Sequence, residues 1–171
     1  MDLGLAGASA VVTGGSKGMG LAIAETLAAE GARVAMMARG QEALDAAAAS
    51  CLAAGAPDAV GISVDMTDPA SIAAGFAQVH DRWGALNSLV HTIGPGDGYF
   101  EEMDDAEWDA AFTLGTMSGV RSIRAALPML RAADWARIVT LSAHSIQRQN
   151  PRIVAYTAAQ AALSSITKNL A

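Results

Sequence analysis

The sequence predicts an α/β domain built on a doubly wound parallel sheet, with helices on both faces. Two observations carry this. Five short β-like runs alternate with helical patterns along the whole chain, which is the signature of parallel strands joined by helical crossovers. The runs Val11-Val12 and Val34-Ala35-Met36-Met37 are continuously apolar rather than alternating, as strands covered on both faces are.

The first strand is expected over residues 8–13, a compact apolar run that ends in glycines. A helix over 16–30 follows, with Met19, Ile23 and Leu27 at four-residue spacing and Gly31 as its stop. Residues 33–37 form the second strand, 41–54 a helix closed by Gly55, and 59–64 the third strand. Thr67-Asp68-Pro69 is a cap followed by a proline, and it opens a helix whose Ile72, Phe76, Val79 and Trp83 share one face. The fourth strand covers 86–93 and runs into the breaker-rich Gly94-Pro95-Gly96-Asp97-Gly98. Asp104-Asp105-Ala106-Glu107 has the form of a capping box and starts one long helix reaching Pro128 or slightly beyond. The fifth strand is 137–141, and a last helix runs from about Tyr156 to the final residue.

Length and composition narrow the function classes. With 171 residues, 52 % of them apolar and 16 % charged, the chain has one real core and is not disordered; residues 1–171 are expected to be a single domain. A net charge of −6 without a Lys/Arg cluster argues against a nucleic-acid surface. Every apolar run is interrupted before membrane-spanning length, and Asp2 with no basic residue near it does not read as a secretory signal, so a cytoplasmic location is expected. Cys51 falls in an alanine-rich helix and reads as a buried thiol, and no set of metal ligands is apparent.

Chemistry first shows in Thr13-Gly14-Gly15-Ser16-Lys17-Gly18-Met19-Gly20, between the first strand and the first helix. Glycines there let the backbone approach a pyrophosphate, whose charge meets the helix N-terminus and its free N–H groups. The end of the second strand, where a site for NAD carries a carboxylate for the ribose hydroxyls, is Ala38-Arg39. Arg39 and Lys17 are two cations with no acid at that position, which favours the 2′-phosphate of NADP(H).

Thr13, Gly14, Gly18 and Gly20 reproduce the Thr-Gly-x-x-x-Gly-x-Gly motif, and the chain resembles the short-chain dehydrogenase/reductase family throughout. Asp65, in Val64-Asp65-Met66, matches the family's adenine-side acid, and Gly94 the glycine that closes its fourth-strand motif. Tyr156, in Val154-Ala155-Tyr156-Thr157-Ala158, matches its catalytic tyrosine. The resemblance implies a Rossmann-type sheet and hydride transfer between nicotinamide and a small carbonyl or alcohol substrate. It implies a cofactor site at Thr13, Gly14, Ser16, Lys17, Gly18, Met19, Gly20, Arg39, Asp65, Met66 and Gly94. It also implies a homo-oligomer formed through the two last helices.

The active-site positions depart from the family. The lysine expected four residues after the tyrosine is Gln160, the serine position is Ala143 and the asparagine position is Gly115. An unassisted tyrosine has a pKa near 10, so about one in a thousand is ionised at pH 7 and roughly 4 kcal/mol must come from elsewhere. Ser142 and Ser145 flank the vacant serine position, and His91 ends the fourth strand; these join Tyr156 as candidate catalytic groups, with His144 a further titratable neighbour. The alternative to an enzyme is a catalytically silent, NADP(H)-binding regulatory or assembly subunit. Family members carry about two more strands and a substrate lid, so the chain is expected to be a fragment lacking them. On the last helix, Leu163 and Ile166 are expected to leave an apolar side for a partner.

Overall fold

The computed structural model describes residues 3–96 and 98–170. Asp2, Asp97 and Ala171, which bear on the expectations for the N-terminus, the breaker stretch and the end of the last helix, lie outside them. Five strands are present: β1 (Ser9–Thr13), β2 (Arg33–Ala38), β3 (Ala59–Ser63), β4 (Ser88–His91) and β5 (Arg137–Thr140). All pair in parallel, in the order β3-β2-β1-β4-β5. The order reverses beside β1, which has β2 on one side and β4 on the other, so a crevice opens beyond their C-terminal ends.

The apolar runs are two-sided. Val11, Ala35 and Leu89 face one core cluster, with Ile72, Phe76 and Val79 of α3 (Pro69–Trp83) and Ile123 and Met129 of α5 (Ser118–Ala132). Val12, Val34, Met36 and Val90 face the other, with Ala24 and Ala28 of α1 (Gly18–Ala29) and Leu44 and Cys51 of α2 (Gln41–Ala54). Cys51 is fully buried there, and burial pushes its thiol up to about 11, so it is an inert packing group.

Start signals act as the sequence suggests. The Asp68 carboxylate accepts from the N–H groups of Ala70 and Ser71, with Pro69 in the first turn. At α4 (Asp105–Phe112) the Asp104 carboxylate accepts from Glu107 N–H and the Glu107 carboxylate from Asp104 N–H, each at 2.9 Å. Beyond α4 the structure differs from the single helix expected. A π-turn occupies Thr113–Met117, and α5 then passes Pro128 and ends at Ala132.

The last helix, α6 (Val154–Leu170), starts two residues before Tyr156. Leu163 does not face outward as expected. It lies one turn after Ala159 on the same face, 1 % exposed, against Gly119 of α5. No helix among the described residues is long and apolar enough to cross a membrane.

Candidate nucleotide-binding and active site

A cleft of about 520 Å³ lies at the C-terminal ends of the strands, where the strand order reverses. Seven of the residues expected to hold a cofactor line it: Gly14, Ser16, Lys17, Arg39, Asp65, Met66 and Gly94. Thr92, Ile93 and Leu114 complete the wall near Gly94. Thr92 directly follows β4, and its place at the C-terminal end of a strand beside the reversal of strand order could have found it.

The remaining four expected residues do not line the cleft. Thr13 is fully buried, Met19 is 70 % exposed, and Gly18 and Gly20 belong to the start of α1. Gly20 allows α1 to touch the loop, since a Cβ there would lie 2.2 Å from Gly14 O. Gly14 itself has a φ of 76°, which favours glycine, and sits against the Thr92 hydroxyl. No side chain caps α1, and its first turn holds no acid, so its N–H groups remain available at the loop.

Charge in the cleft comes from Lys17, Arg39 and Asp65, all exposed. The Asp65 carboxylate accepts from Thr67 N–H at 2.9 Å and the Thr67 hydroxyl at 2.7 Å. These bonds, aided by the field of Arg39, hold its pKa below the usual carboxylate value. Asp65 therefore stays an anion at the end of β3, while the end of β2 carries only Arg39.

The far wall brings together the end of β4, the π-turn and α6. The Tyr156 ring lies against Gly94: a Cβ on Gly94 would come within 2.5 Å of Tyr156 Cε2. Among the described residues no protein group hydrogen-bonds the Tyr156 hydroxyl. Gln160 is 2 % exposed; its amide Nε2 donates to Ile93 O at 3.0 Å, while Oε1 is buried without a partner. The carbonyl of Ile93 can only accept, so it fixes which end of the amide faces it.

Gly115 is buried in the π-turn, and a Cβ there would meet Ala159 Cβ at 2.7 Å and Pro95 Cδ at 2.8 Å. The space at the asparagine position of the resemblance is therefore filled by the Pro95 ring and the Ala159 methyl group of α6. Thr116 ties the same turn to α6 by donating to Ala159 O at 2.9 Å.

The other catalytic candidates have hydrogen-bond partners other than Tyr156. The Ser142 hydroxyl pairs with that of Ser164 at 2.7 Å. Ser164 is eight residues beyond Tyr156, about 12 Å along α6. Ser145 is buried, with its hydroxyl 2.7 Å from that of Thr157. His144 is exposed in the short 3₁₀ turn that also holds Ser145. His91 was expected beside the cleft, but it shares the face of Leu89, points toward α5 and is fully buried. Its ring lies between the hydroxyls of Thr13 and Ser118, and burial pushes its pKa down to about 4. Ser118, which sequence reasoning missed, carried no local signal, because its role arises from a contact with strand β4.

Comparison with known proteins agrees with this architecture. The D-beta-hydroxybutyrate dehydrogenase of Rhizobium meliloti (strain 1021) is 32 % identical over 175 residues, an alignment covering 95 % of this chain and 64 % of that protein. The 3-oxoacyl-[acyl-carrier-protein] reductase of Escherichia coli (strain K12) is 32 % identical over 166 residues, covering 96 % and 66 %. The crystal structure of an actinorhodin polyketide ketoreductase with NADPH superposes with a TM-score of 0.89 at 29 % identity, covering 96 % of this chain and 64 % of that one. The chain thus spans just under two thirds of the length of these relatives. The short chain dehydrogenase family matches residues 8–171, and the chain belongs to that family.

Proposed function

We propose that the protein is the nucleotide-binding part of an NADP(H)-dependent oxidoreductase that moves a hydride between nicotinamide and a carbonyl or alcohol carbon. The observation that carries this is the cleft at the reversal of strand order, with Lys17 and Arg39 at one end and Gly94, backed by Tyr156, at the other. The residues fit the cofactor's phosphates: the uncapped start of α1, the glycine surface at Gly14, and two exposed cations with no acid at the end of β2. Bound nicotinamide would supply or accept the hydride. Lys17 and Arg39 would hold the 2′-phosphate, Asp65 and Met66 would flank the adenine side, and the Tyr156 hydroxyl would exchange the substrate's proton.

The names of the two curated relatives, a β-hydroxybutyrate dehydrogenase and a 3-oxoacyl reductase, support including β-hydroxy and β-oxo compounds among the substrates tested. Titration followed by nucleotide fluorescence should show NADPH binding more tightly than NADH. Arg39→Ala should remove most of that preference, roughly ten- to a hundredfold for one charge-assisted contact. Equal affinities in the parent would refute the choice of cofactor. NADPH oxidation against a carbonyl panel should fall on Tyr156→Phe, and an unchanged rate would remove Tyr156 from the chemistry.

A further inference from the structure

His91 is completely buried, and a count of protons around it defines what it does. In an α-helix the N–H of Ser118 would bond the carbonyl of Leu114, four residues back. In the π-turn that N–H bonds Thr113 O instead, one residue earlier, and Leu114 O loses it. The Ser118 hydroxyl donates to the carbonyl so released. A hydroxyl has one proton, so toward His91 Nε2, 3.2 Å away, Ser118 Oγ can only accept. The Nε2 atom therefore carries the ring proton. In the neutral ring Nδ1 is then an acceptor, and the Thr13 hydroxyl donates to it at 2.8 Å.

The result is one directed chain of donors: Thr13 to His91, His91 to Ser118, Ser118 to the Leu114 carbonyl. Its ends are both at the cleft. Thr13 closes β1, and its carbonyl receives the N–H of Thr92 at 3.2 Å and the Thr92 hydroxyl at 2.7 Å. The same hydroxyl is the one Gly14 packs against. Leu114 lines the cleft beside Gly94. We propose that His91 is a positioning residue which locks the π-turn and couples it to the glycine loop, so that a nucleotide held at the loop also orders the wall at Leu114. The coupling to nucleotide rests on the function proposed above; the lock on the π-turn does not.

Two variants separate the ends of the chain. The amide of Gln in His91→Gln reaches the position of Nε2 and can still donate to Ser118. In His91→Asn the shorter amide replaces Nδ1 and keeps only the Thr13 end. Amide hydrogen exchange on the ligand-free proteins should show peptide 113–118 opening roughly five- to tenfold more often in His91→Asn, the effect of losing about one net hydrogen bond, and near the parent level in His91→Gln. NADPH should slow exchange of 113–118 in the parent and leave it unchanged in His91→Asn, while still protecting the peptide over Gly14. Equal exchange of 113–118 in the two ligand-free variants would overturn the lock. Equal NADPH protection of 113–118 in parent and His91→Asn would overturn the coupling. Failure of NADPH to bind the parent would overturn the cofactor assignment and with it the coupling, while the ligand-free comparison would still decide the lock.

Discussion

At the scale of single residues, His91 shows how burial turns a titratable group into a condition on stability. Desolvation lowers its pKa from 6.5 to about 4 in the folded protein, while the unfolded chain keeps the ordinary value near 6.5. Between those values the unfolded state binds the extra proton and the folded state resists it, so stability falls as pH drops. Above pH 6.5 both states hold a neutral ring, and the group adds no pH dependence. The full loss, reached once pH passes below about 4, is on the order of 3 kcal/mol. Asp58 and Asp65 have pKa values lowered from 3.8, Asp58 chiefly by its bonds to Arg82. Their contributions are present above 3.8 and disappear as pH falls below it, so the two windows separate. Urea unfolding at pH 7, 6, 5 and 4.5 should show a progressive loss in the parent, and His91→Gln should be nearly flat over the same range. A parallel decline in both would mean that His91 is not its source.

At the scale of elements, what the sequence revealed and what it hid follow different physics. The five strands, the caps at Asp68 and Asp104 and the glycine loop depend on residues within a few positions of one another, and each was legible. The π-turn was not, because nothing in Thr113-Leu114-Gly115-Thr116-Met117 breaks a helix; tertiary contacts with α6 and His91 favour that register. The site was legible in the same proportion. Residues of the cleft came from a local motif, whereas the surroundings of Tyr156 depend on how α6 meets β4 and the π-turn. This bears on any attempt to rebuild the asparagine position. Gly115→Asn alone forces a side chain into Ala159 and Pro95, and overpacking of this kind costs about 1–3 kcal/mol. Pro95→Ala removes one of the two obstacles and should recover part of that loss. The pair should therefore be less destabilised than the sum of the single changes, by at least about 0.5 kcal/mol in a double-mutant cycle. Additive thermal stabilities would show that Pro95 does not occupy that space.

At the scale of the whole molecule, the outer side of the last two long helices offers surface that a partner would cover. Ala159 and Leu163 spend one face of α6 on the core, so they take no part in association. Ala162 and Ile166 border that buried face of α6 and remain partly exposed, and Phe112 and Met117, each 37 % exposed, present apolar surface on α4 and the π-turn. The small side chains around Ala162 would let a second helix approach at the close end of the usual 8–10 Å interaxial range. We therefore predict a homo-oligomer formed through α6 and the helix before it. Two residues of opposite character probe the same face: Ala162→Arg adds bulk and charge, and Ile166→Glu replaces an apolar contact with an anion. Because neither position is fully buried, both variants should keep the monomer folded, which circular dichroism and thermal melting would check. Light scattering of the parent at micromolar concentration should give a mass at least twice that of the chain, and each variant should reduce it toward the monomer. A monodisperse parent monomer would refute the prediction, and so would variants that fold normally and keep the parent's mass.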